Sequence, residues 1–326
     1  MKVLVANYSD WSAWDTPGWV LERMRAAVPD VEFVHARTPE EGVRKISDAE
    51  VVFSSVVRSE MFDAAGRLRW IHSPAAGIGG MLFPSLVASD VILTNSRGMH
   101  AETIAEHVIA LTLALFRGLP NAVRRQSERV WAQEELSVPG PRLLRGSTMG
   151  IVGLGGIGAA IAAAASGLGM TVEGIRRRAN AELPPGVQAA YPIAALHERL
   201  PHWDVVVLAA PQTRETEGLI GAPELARMRR TAILVNIARG KLVREADLID
   251  ALVRGVIGGA ALDVVEHEPL DPVSPLWSLP NVLITPHVAG FRPQYWERLA
   301  DLFLENLHRY RANEPLLNVV DKQAGY

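Results

Sequence analysis

The sequence predicts an α/β protein with doubly wound parallel sheets, in which helices cover both faces of each sheet. Short continuous runs of valine, isoleucine and leucine alternate with segments of helix length along the 326 residues. Strands that are buried on both faces have this composition. The length is close to that of two average domains, and the runs form two series separated by a long segment. We therefore expect two such domains.

Both series consist of runs that are short enough to be strands. The first series comprises residues 2–6, 31–35, 51–54, 69–72 and 91–94. The second comprises residues 148–152, 170–175, 204–208, 232–236, 258–262 and 282–285. The segments between runs are long enough for the crossover helices that parallel strands require.

The segment between the two series begins with a predicted helix at residues 99–118, where apolar side chains recur at the spacing of one helical face. Gly118 and Pro120 predict the end of this helix. We expect residues 121–146 to be an irregular connector or contact arm. A last helix is predicted from Pro293 to about residue 312.

Composition and charge exclude several classes of function. The 33 basic and 36 acidic residues give a net charge of −3, which offers no electrostatic basis for a nucleic-acid or acidic-membrane partner. The chain has no cysteine, so it has no disulfide, thiolate nucleophile or cysteine-ligated metal, and we expect no metal. No secretory signal or membrane-spanning stretch is recognised, so we expect a cytoplasmic protein.

A glycine-rich turn joins the predicted strand at 148–152 to an alanine-rich helix. Its residues are Gly153, Leu154, Gly155, Gly156, Ile157 and Gly158. In the pattern G-x-G-x-x-G the first glycine permits a tight turn, the second lets the backbone approach a pyrophosphate, and the third allows close packing of helix on strand. Because the pattern lies between strand and helix, it predicts a dinucleotide-binding turn. An ordinary tight turn is the alternative.

The end of the next predicted strand indicates which dinucleotide binds. An acidic residue there would bind the ribose hydroxyls of NAD, but the sequence has Arg176, Arg177 and Arg178 instead. Guanidinium groups pair well with the additional 2′-phosphate of NADP. We therefore expect NADP(H) to be preferred over NAD(H) by roughly 10- to 100-fold. A solvated basic loop is the alternative.

Three polar residues follow the last three predicted strands, at the edge where open α/β sheets bind their ligands. These residues are Arg239, Glu268 and His287. Each of them alone would be interpreted as a structural or surface residue. Their occurrence together, in this order behind the glycine turn, carries the functional argument.

This ordered set resembles the D-isomer-specific 2-hydroxyacid dehydrogenase family, and within it the glyoxylate/hydroxypyruvate reductases. Further matching segments are Asn95-Ser96-Arg97-Gly98, Ala105-Glu106-His107, and Ala210-Pro211-Gln212-Thr213 with Thr216. The resemblance covers nearly the whole chain. It implies a Rossmann-type cofactor domain at residues 99–287, inserted into a flavodoxin-like substrate domain built from residues 1–98 and 288–326.

The resemblance implies that the chain reduces small 2-oxo acids, such as glyoxylate, hydroxypyruvate or a bulkier analogue, to D-2-hydroxy acids with NADPH. Arg239 would hold the substrate carboxylate and polarise the carbonyl group. His287, as an imidazolium, would give a proton to the carbonyl oxygen as the hydride arrives. Glu268 would fix the imidazole ring and favour its protonated form.

The resemblance also implies further contacts. Cofactor contacts are expected at Thr103, Gly153, Gly155, Gly156, Ile157, Gly158, Arg176, Arg177, Ala210, Pro211, Thr216, Ile237, Ala238, Asp263 and Gly290. Substrate contacts are expected at Ala76, Gly77, Arg239 and Val57. Specificity candidates, for which packing or surface roles are the alternative, are Trp11, Trp14, Val57 and Arg58. A homodimer is implied, in which Trp131 could reach across to the second copy, and a purely structural role is the alternative for Trp131.

Two alternatives stay open. Some relatives act as transcriptional corepressors, so a dinucleotide-sensing regulatory protein without turnover is one of them. The presence of Arg239, Glu268 and His287 together disfavours it. Formate- or phosphite-oxidising relatives are the other alternative, and the expected carboxylate site at Ala76 and Gly77 disfavours that reading.

Overall fold

Two parallel sheets organise the chain, and each belongs to its own unit. The computed structural model describes residues 1–8, 15–138, 140–177 and 179–325. The first unit comprises Met1–Met99 and Arg292–Tyr326, and the second comprises His100–Phe291. In each unit, one apolar cluster packs on each face of the sheet.

The strand orders of the two sheets define the fold. The strands of the first unit are β1 (Lys2–Val5), β2 (Glu32–His35), β3 (Val51–Phe53), β4 (Trp70–Ser73) and β5 (Ile92–Asn95). Those of the second are β6 (Thr148–Val152), β7 (Thr171–Ile175), β8 (Ala189–Tyr191), β9 (Val205–Leu208), β10 (Ile233–Asn236), β11 (Gly259–Leu262) and β12 (Val282–Ile284). The order β2-β1-β3-β4-β5 is flavodoxin-like. The order β12-β11-β10-β9-β6-β7-β8 is the Rossmann order with one added strand. The predicted fold class is confirmed.

Helices connect the strands and complete both units. In chain order they are α1 (Gly18–Ala27), α2 (Pro39–Lys45), α3 (Ser59–Asp63), α4 (Pro84–Ala88), α5 (Ala101–Phe116), α6 (Leu119–Ser127), α7 (Gln133–Ser137), α8 (Gly156–Gly167), α9 (Leu196–Arg199), α10 (Ala222–Leu225), α11 (Glu245–Val253) and α12 (Tyr295–Arg311). In α12 the apolar residues Leu299, Phe303 and Leu307 recur every fourth position and are fully buried in the core of the first unit.

Two parts of the sequence-based prediction were wrong. The connector predicted to be irregular contains α6 and α7. Pro120 lies in the first turn of α6, where its missing N–H is not needed, so it begins a helix as well as following the end of one. Strand β8 was not predicted, because it is a three-residue strand held by pairing with β7 rather than marked by its composition.

The end of the chain completes the first unit by covering the edge strand β5. Val319 forms an antiparallel bridge with Thr94, and the Val320 amide donates to the Leu93 carbonyl at 2.8 Å. Lys322 donates to the carbonyl groups of Leu86, Ser89 and Val91. The bridge to Thr94 and the bond to Leu93 occupy backbone groups of β5 that an exposed edge would leave unpaired.

No single helix among the described residues combines the length and the apolarity needed to cross a membrane. Within the part of the chain that the structure describes, one pair of helices, α5 and α6, reaches both when taken together, and the pair is bent by 68° at the break.

Candidate active site

The carboxyl ends of three neighbouring strands in the second unit bring Arg239, Glu268 and His287 together. Asn236, at the end of β10, pairs with Leu262 of β11, and Leu262 pairs with Ile284 of β12. Because these pairs are in register, the segments that carry the three side chains leave the sheet at one level. The Nδ1 atom of His287 lies 2.7 Å from Oε2 of Glu268.

The segment after β10 fixes the position of Arg239. The side chain of Asn236 accepts from the Ala238 amide at 3.1 Å and donates to the Arg239 carbonyl at 3.0 Å. A Cβ atom at Gly240 would lie only 1.8 Å from the Val265 carbonyl oxygen, so only glycine fits there. This close approach places Arg239 beside the segment that carries Glu268.

Burial and neighbouring charges have opposing effects on the pKa values of Arg239 and Glu268. Burial lowers the pKa of Arg239, and the negative charge of Glu268 opposes that shift. Burial alone would raise the pKa of Glu268. The hydrogen bond to His287, with the charges of His287 and Arg239, holds the pKa of Glu268 below its ordinary value instead. Glu268 is therefore an ionised partner for the imidazole ring at neutral pH.

Asp263 anchors the segment that carries His287. Its backbone carbonyl accepts from the His287 amide at 2.8 Å. Its carboxylate accepts from the Thr285 hydroxyl at 2.6 Å and from the amides of Val288 and Ala289 at 3.0 and 3.1 Å. His287 adopts a φ of 54°, which is uncommon for a residue other than glycine. These bonds therefore maintain a backbone conformation that the sequence alone would not favour.

The glycine turn after β6 has the form that a pyrophosphate requires. Gly153 has a φ of 105°, and a Cβ atom at Gly158 would lie 2.0 Å from the Gly153 carbonyl oxygen. By contrast, Cβ atoms at Gly155 and Gly156 would meet nothing within 4 Å. Bare backbone therefore faces open space at the start of α8, where the first helical amides have no partner within the helix. These residues fit a dinucleotide.

The comparisons agree with this geometry. Residues 109–289 match the family model described as D-isomer specific 2-hydroxyacid dehydrogenase, NAD binding domain. The chain belongs to this family. A glyoxylate reductase from Korarchaeum cryptofilum is 36% identical over 289 residues, which cover 86% of this chain and 85% of that protein.

Two solved structures extend the similarity to nearly the whole chain. A D-isomer specific 2-hydroxyacid dehydrogenase from Xanthobacter autotrophicus, in complex with NADPH and MES, is 32% identical with a TM-score of 0.83 and covers 99% of both chains. An NADPH-dependent glyoxylate/hydroxypyruvate reductase from Sinorhizobium meliloti, in complex with NADP and sulfate, is 28% identical with a TM-score of 0.84 and covers 100% of both chains. The protein is thus an oxidoreductase with a dinucleotide-binding domain.

In this dehydrogenase Arg176 has hydrogen-bond partners within its own loop, and its contact with a cofactor stays a prediction. Its guanidinium group donates to the carbonyl groups of Ala179, Ala181 and Glu182, within its own loop. The side chain therefore holds the loop together rather than presenting all its donors to a phosphate. The neighbouring Arg177 is exposed, whereas Arg178 lies outside the described residues.

Arg177 lines a groove of about 640 Å³ together with Ala179, Asn180, Ala181 and Pro192. Strand β7 carries one carboxylate, that of Glu173, and other side chains of the protein already bind it. Glu173 accepts from the Arg199 guanidinium group at 2.7 Å and from the Trp203 indole N–H at 2.8 Å. The strand end thus carries a guanidinium group where an NAD-binding domain would have a carboxylate.

The remaining residues expected to contact the cofactor lie in the second unit, and several already use their polar groups. The Thr216 hydroxyl donates to the Pro211 carbonyl at 2.7 Å, and the Thr103 hydroxyl donates to the His100 carbonyl at 3.1 Å. A Cβ atom at Gly153 would lie 2.6 Å from the Ala210 backbone nitrogen. Of the same set, Ile237, Ala238 and Asp263 are buried, and the Gly290 carbonyl oxygen lies 3.1 Å from Nδ1 of His100. Their contacts with a cofactor stay predictions.

In the first unit the structure corrects one expected substrate contact. Val57 is fully buried in an apolar core, so its side chain packs there instead of facing a ligand. The Ala76 carbonyl accepts from the Asn95 side chain at 2.7 Å, and Gly77 is exposed. Arg58 is exposed, and Trp11 and Trp14 lie outside the described residues.

Proposed function

We propose that this dehydrogenase reduces small 2-oxo acids to D-2-hydroxy acids with hydride from NADPH. The hydrogen-bonded pair of His287 and Glu268, held beside Arg239, carries the proposal. The names of the relatives support it, since one is a glyoxylate reductase and another is an NADPH-dependent glyoxylate/hydroxypyruvate reductase.

The proposed mechanism assigns one task to each side chain. Arg239 binds the substrate carboxylate with two parallel hydrogen bonds and polarises the adjacent carbonyl. When bound, NADPH supplies the hydride that reduces the carbonyl carbon. Glu268 occupies Nδ1 of His287, so the ring donates its other proton, from Nε2, to the carbonyl oxygen.

The test follows NADPH oxidation with a panel of 2-oxo acids. We expect His287→Ala to lower kcat by roughly 10²- to 10⁴-fold, as the loss of a general acid does. His267→Ala is a matched control, because His267 is an exposed histidine of the segment that carries Glu268. An unchanged rate in His287→Ala would refute the assigned proton donor. Coenzyme binding without turnover of any 2-oxo acid would favour the regulatory alternative.

The preference for NADP(H) over NAD(H) is part of the proposal and is supported by the exposed Arg177 at the groove beside β7. We expect Arg177→Asp to reverse the ratio of kcat/KM for NADPH and NADH. Arg227→Asp changes the net charge equally at another exposed position and should leave that ratio unchanged. We expect Arg176→Gln to weaken both coenzymes alike, because it loosens the loop. A wild type that prefers NADH would refute the proposal.

We also propose that the protein acts as a cytoplasmic homodimer. Support for the dimer comes from the arm between α5 and β6, defined here as residues 119–143. Six of its large apolar side chains are exposed, with Trp131 89% accessible and Val138 76%. Monomeric proteins rarely leave extensive apolar surface in water.

A further inference from the structure

A chain of polar side chains joins α5 to the segment that carries His287. The Nε2 atom of His107 lies 3.0 Å from the Thr285 hydroxyl oxygen, and that hydroxyl donates to the Asp263 carboxylate at 2.6 Å. The same His107 atom is 3.6 Å from the Asp263 carboxylate. His107 lies on a helix whose buried residues are apolar except for Thr112, and this contrast is the signal that the sequence offers for it.

The direction of each hydrogen bond follows from the number of protons. The Thr285 hydroxyl has one proton, and it goes to Asp263, so the oxygen must accept from His107. Burial lowers the pKa of His107, against the opposing charge of Asp263, and keeps the ring neutral. The single ring proton of His107 therefore lies on Nε2. The chain runs in one direction, from His107 through Thr285 to Asp263.

Asp263 is the point where this chain meets the catalytic segment. The same residue binds the amides of His287, Val288 and Ala289, and so holds His287 at its positive φ. Such a backbone conformation persists only where several surrounding contacts enforce it. If the Thr285 hydroxyl lost its donor, both Thr285 and Asp263 would be less tightly fixed.

We propose that His107 is a positioning residue for His287, acting through Thr285 and Asp263 and not on the substrate itself. It supplies the fixed end of the chain, because α5 is packed in the core of the second unit. The consequence for catalysis rests on the proposed function. The consequence for the backbone at His287 does not.

The first readout is hydrogen exchange of the amides of residues 287–289, measured by mass spectrometry on the full-length protein. We expect His107→Phe to speed their exchange by about tenfold, the effect of losing one hydrogen bond of average strength. His107→Gln retains an N–H donor and should restore slow exchange. Glu106→Gln, at an exposed neighbour on α5, is the control and should exchange as the wild type does.

The second variant is Thr285→Val, which removes the middle of the chain and leaves His107 in place. We expect the same faster exchange, with no further increase in the double variant His107→Phe/Thr285→Val, because both changes break one chain. If His107→Phe folds poorly, the comparison of Thr285→Val with wild type and of His107→Gln with wild type still decides. Wild-type exchange in Thr285→Val, or additive effects in the double variant, would overturn the proposal.

Turnover gives the third readout. With a 2-oxo acid that the wild type reduces, we expect His107→Phe to lower kcat by about tenfold with an unchanged KM for the coenzyme, and His107→Gln to recover it. Equal losses in kcat for both variants would mean that His107 acts only through packing. If the wild type reduces no 2-oxo acid, the proposed function fails, and the exchange measurements alone decide the role of His107.

Discussion

Burial is the largest single effect on the pKa of Glu268, but the hydrogen bonds with His287 and the Val265 amide, together with the charges of His287 and Arg239, outweigh it and lower the pKa. Its pKa lies below 4.5, so its contribution is complete above that pH and is lost as the pH falls through the lowered value. We expect Glu268→Gln to lower kcat by about 10²-fold at neutral pH, since an amide cannot stabilise the imidazolium. The pH–rate profile should also lose the acid limb that lies below pH 4.5 in the wild type. Identical profiles for both proteins would contradict this assignment.

His72 is a buried titratable residue outside the candidate site. Unlike in Glu268, burial determines the direction of its pKa shift. Its ring is fully buried in the first unit, and Nδ1 lies 2.8 Å from the Thr94 hydroxyl. Burial lowers the pKa of His72 from 6.5 to about 3. Between pH 6.5 and about 3, His72 is protonated in the unfolded chain and neutral in the folded chain. The free energy of unfolding therefore falls as the pH drops below 6.5.

From this shift we expect the free energy of unfolding to fall by about 2 kcal/mol between neutral pH and about pH 5 through His72 alone. His72→Gln should unfold more easily at neutral pH, because burial of an amide in place of the stacked ring disturbs the core. Its stability should nevertheless depend less on pH. Denaturant unfolding at both pH values measures this difference, and equal pH dependence in the two proteins would exclude His72 as the cause.

At the residue scale, the sequence was sufficient to predict those site residues that follow directly after a strand. Arg239, Glu268 and His287 follow neighbouring parallel strands, and strand order then brings them together. The use of Arg176 was not predictable. Its partners are backbone carbonyl groups, whose positions depend on the path of the loop and not on side-chain identity.

At the scale of elements, two glycines of the turn after β6 have different roles. Gly158 is needed for packing, whereas Gly155 is expected to leave space for the coenzyme. A Cβ atom at Gly158 would lie 2.0 Å from backbone, whereas one at Gly155 would meet nothing within 4 Å. We expect Gly158→Ala to lower Tm by several degrees, because helix α8 must move away from β6. We expect Gly155→Ala to keep the wild-type Tm and to weaken the coenzyme by about tenfold or more, because the methyl group occupies pyrophosphate space. Thermal unfolding and coenzyme titration distinguish them, and equal Tm losses would be inconsistent with this geometry.

Strands were predictable to within about one residue because buried parallel strands are continuous apolar runs bounded by polar residues. Elements whose residues are not buried could not be predicted in this way. None of the residues of α6 or α7 is buried, so neither helix contains the kind of apolar run that identifies the buried strands. For the same reason β8, whose residues are all partly exposed, is identified only by its pairing with β7.

At the scale of the whole molecule, the arm exposes several large apolar side chains that a single copy leaves in contact with water. Its exposed apolar side chains are Leu119, Val123, Val130, Trp131, Val138 and Leu143. A self-complementary interface between two copies would bury this set twice, which is the usual arrangement in homodimers. Each large apolar side chain that becomes fully buried would contribute about 1.5–3 kcal/mol. The arm is therefore the expected site of association.

We accordingly expect the wild type to have the mass of a dimer by light scattering at micromolar concentration. The double variant Val123→Glu/Trp131→Glu should be a folded monomer, because two carboxylates would lose their hydration at the interface. Val253→Glu is the matched control, since Val253 is 64% exposed on α11, outside the arm, and should leave the dimer intact. A monomeric wild type, or a dimeric double variant, would show that the arm serves another purpose. If the control alone dissociates, the interface lies on α11 instead.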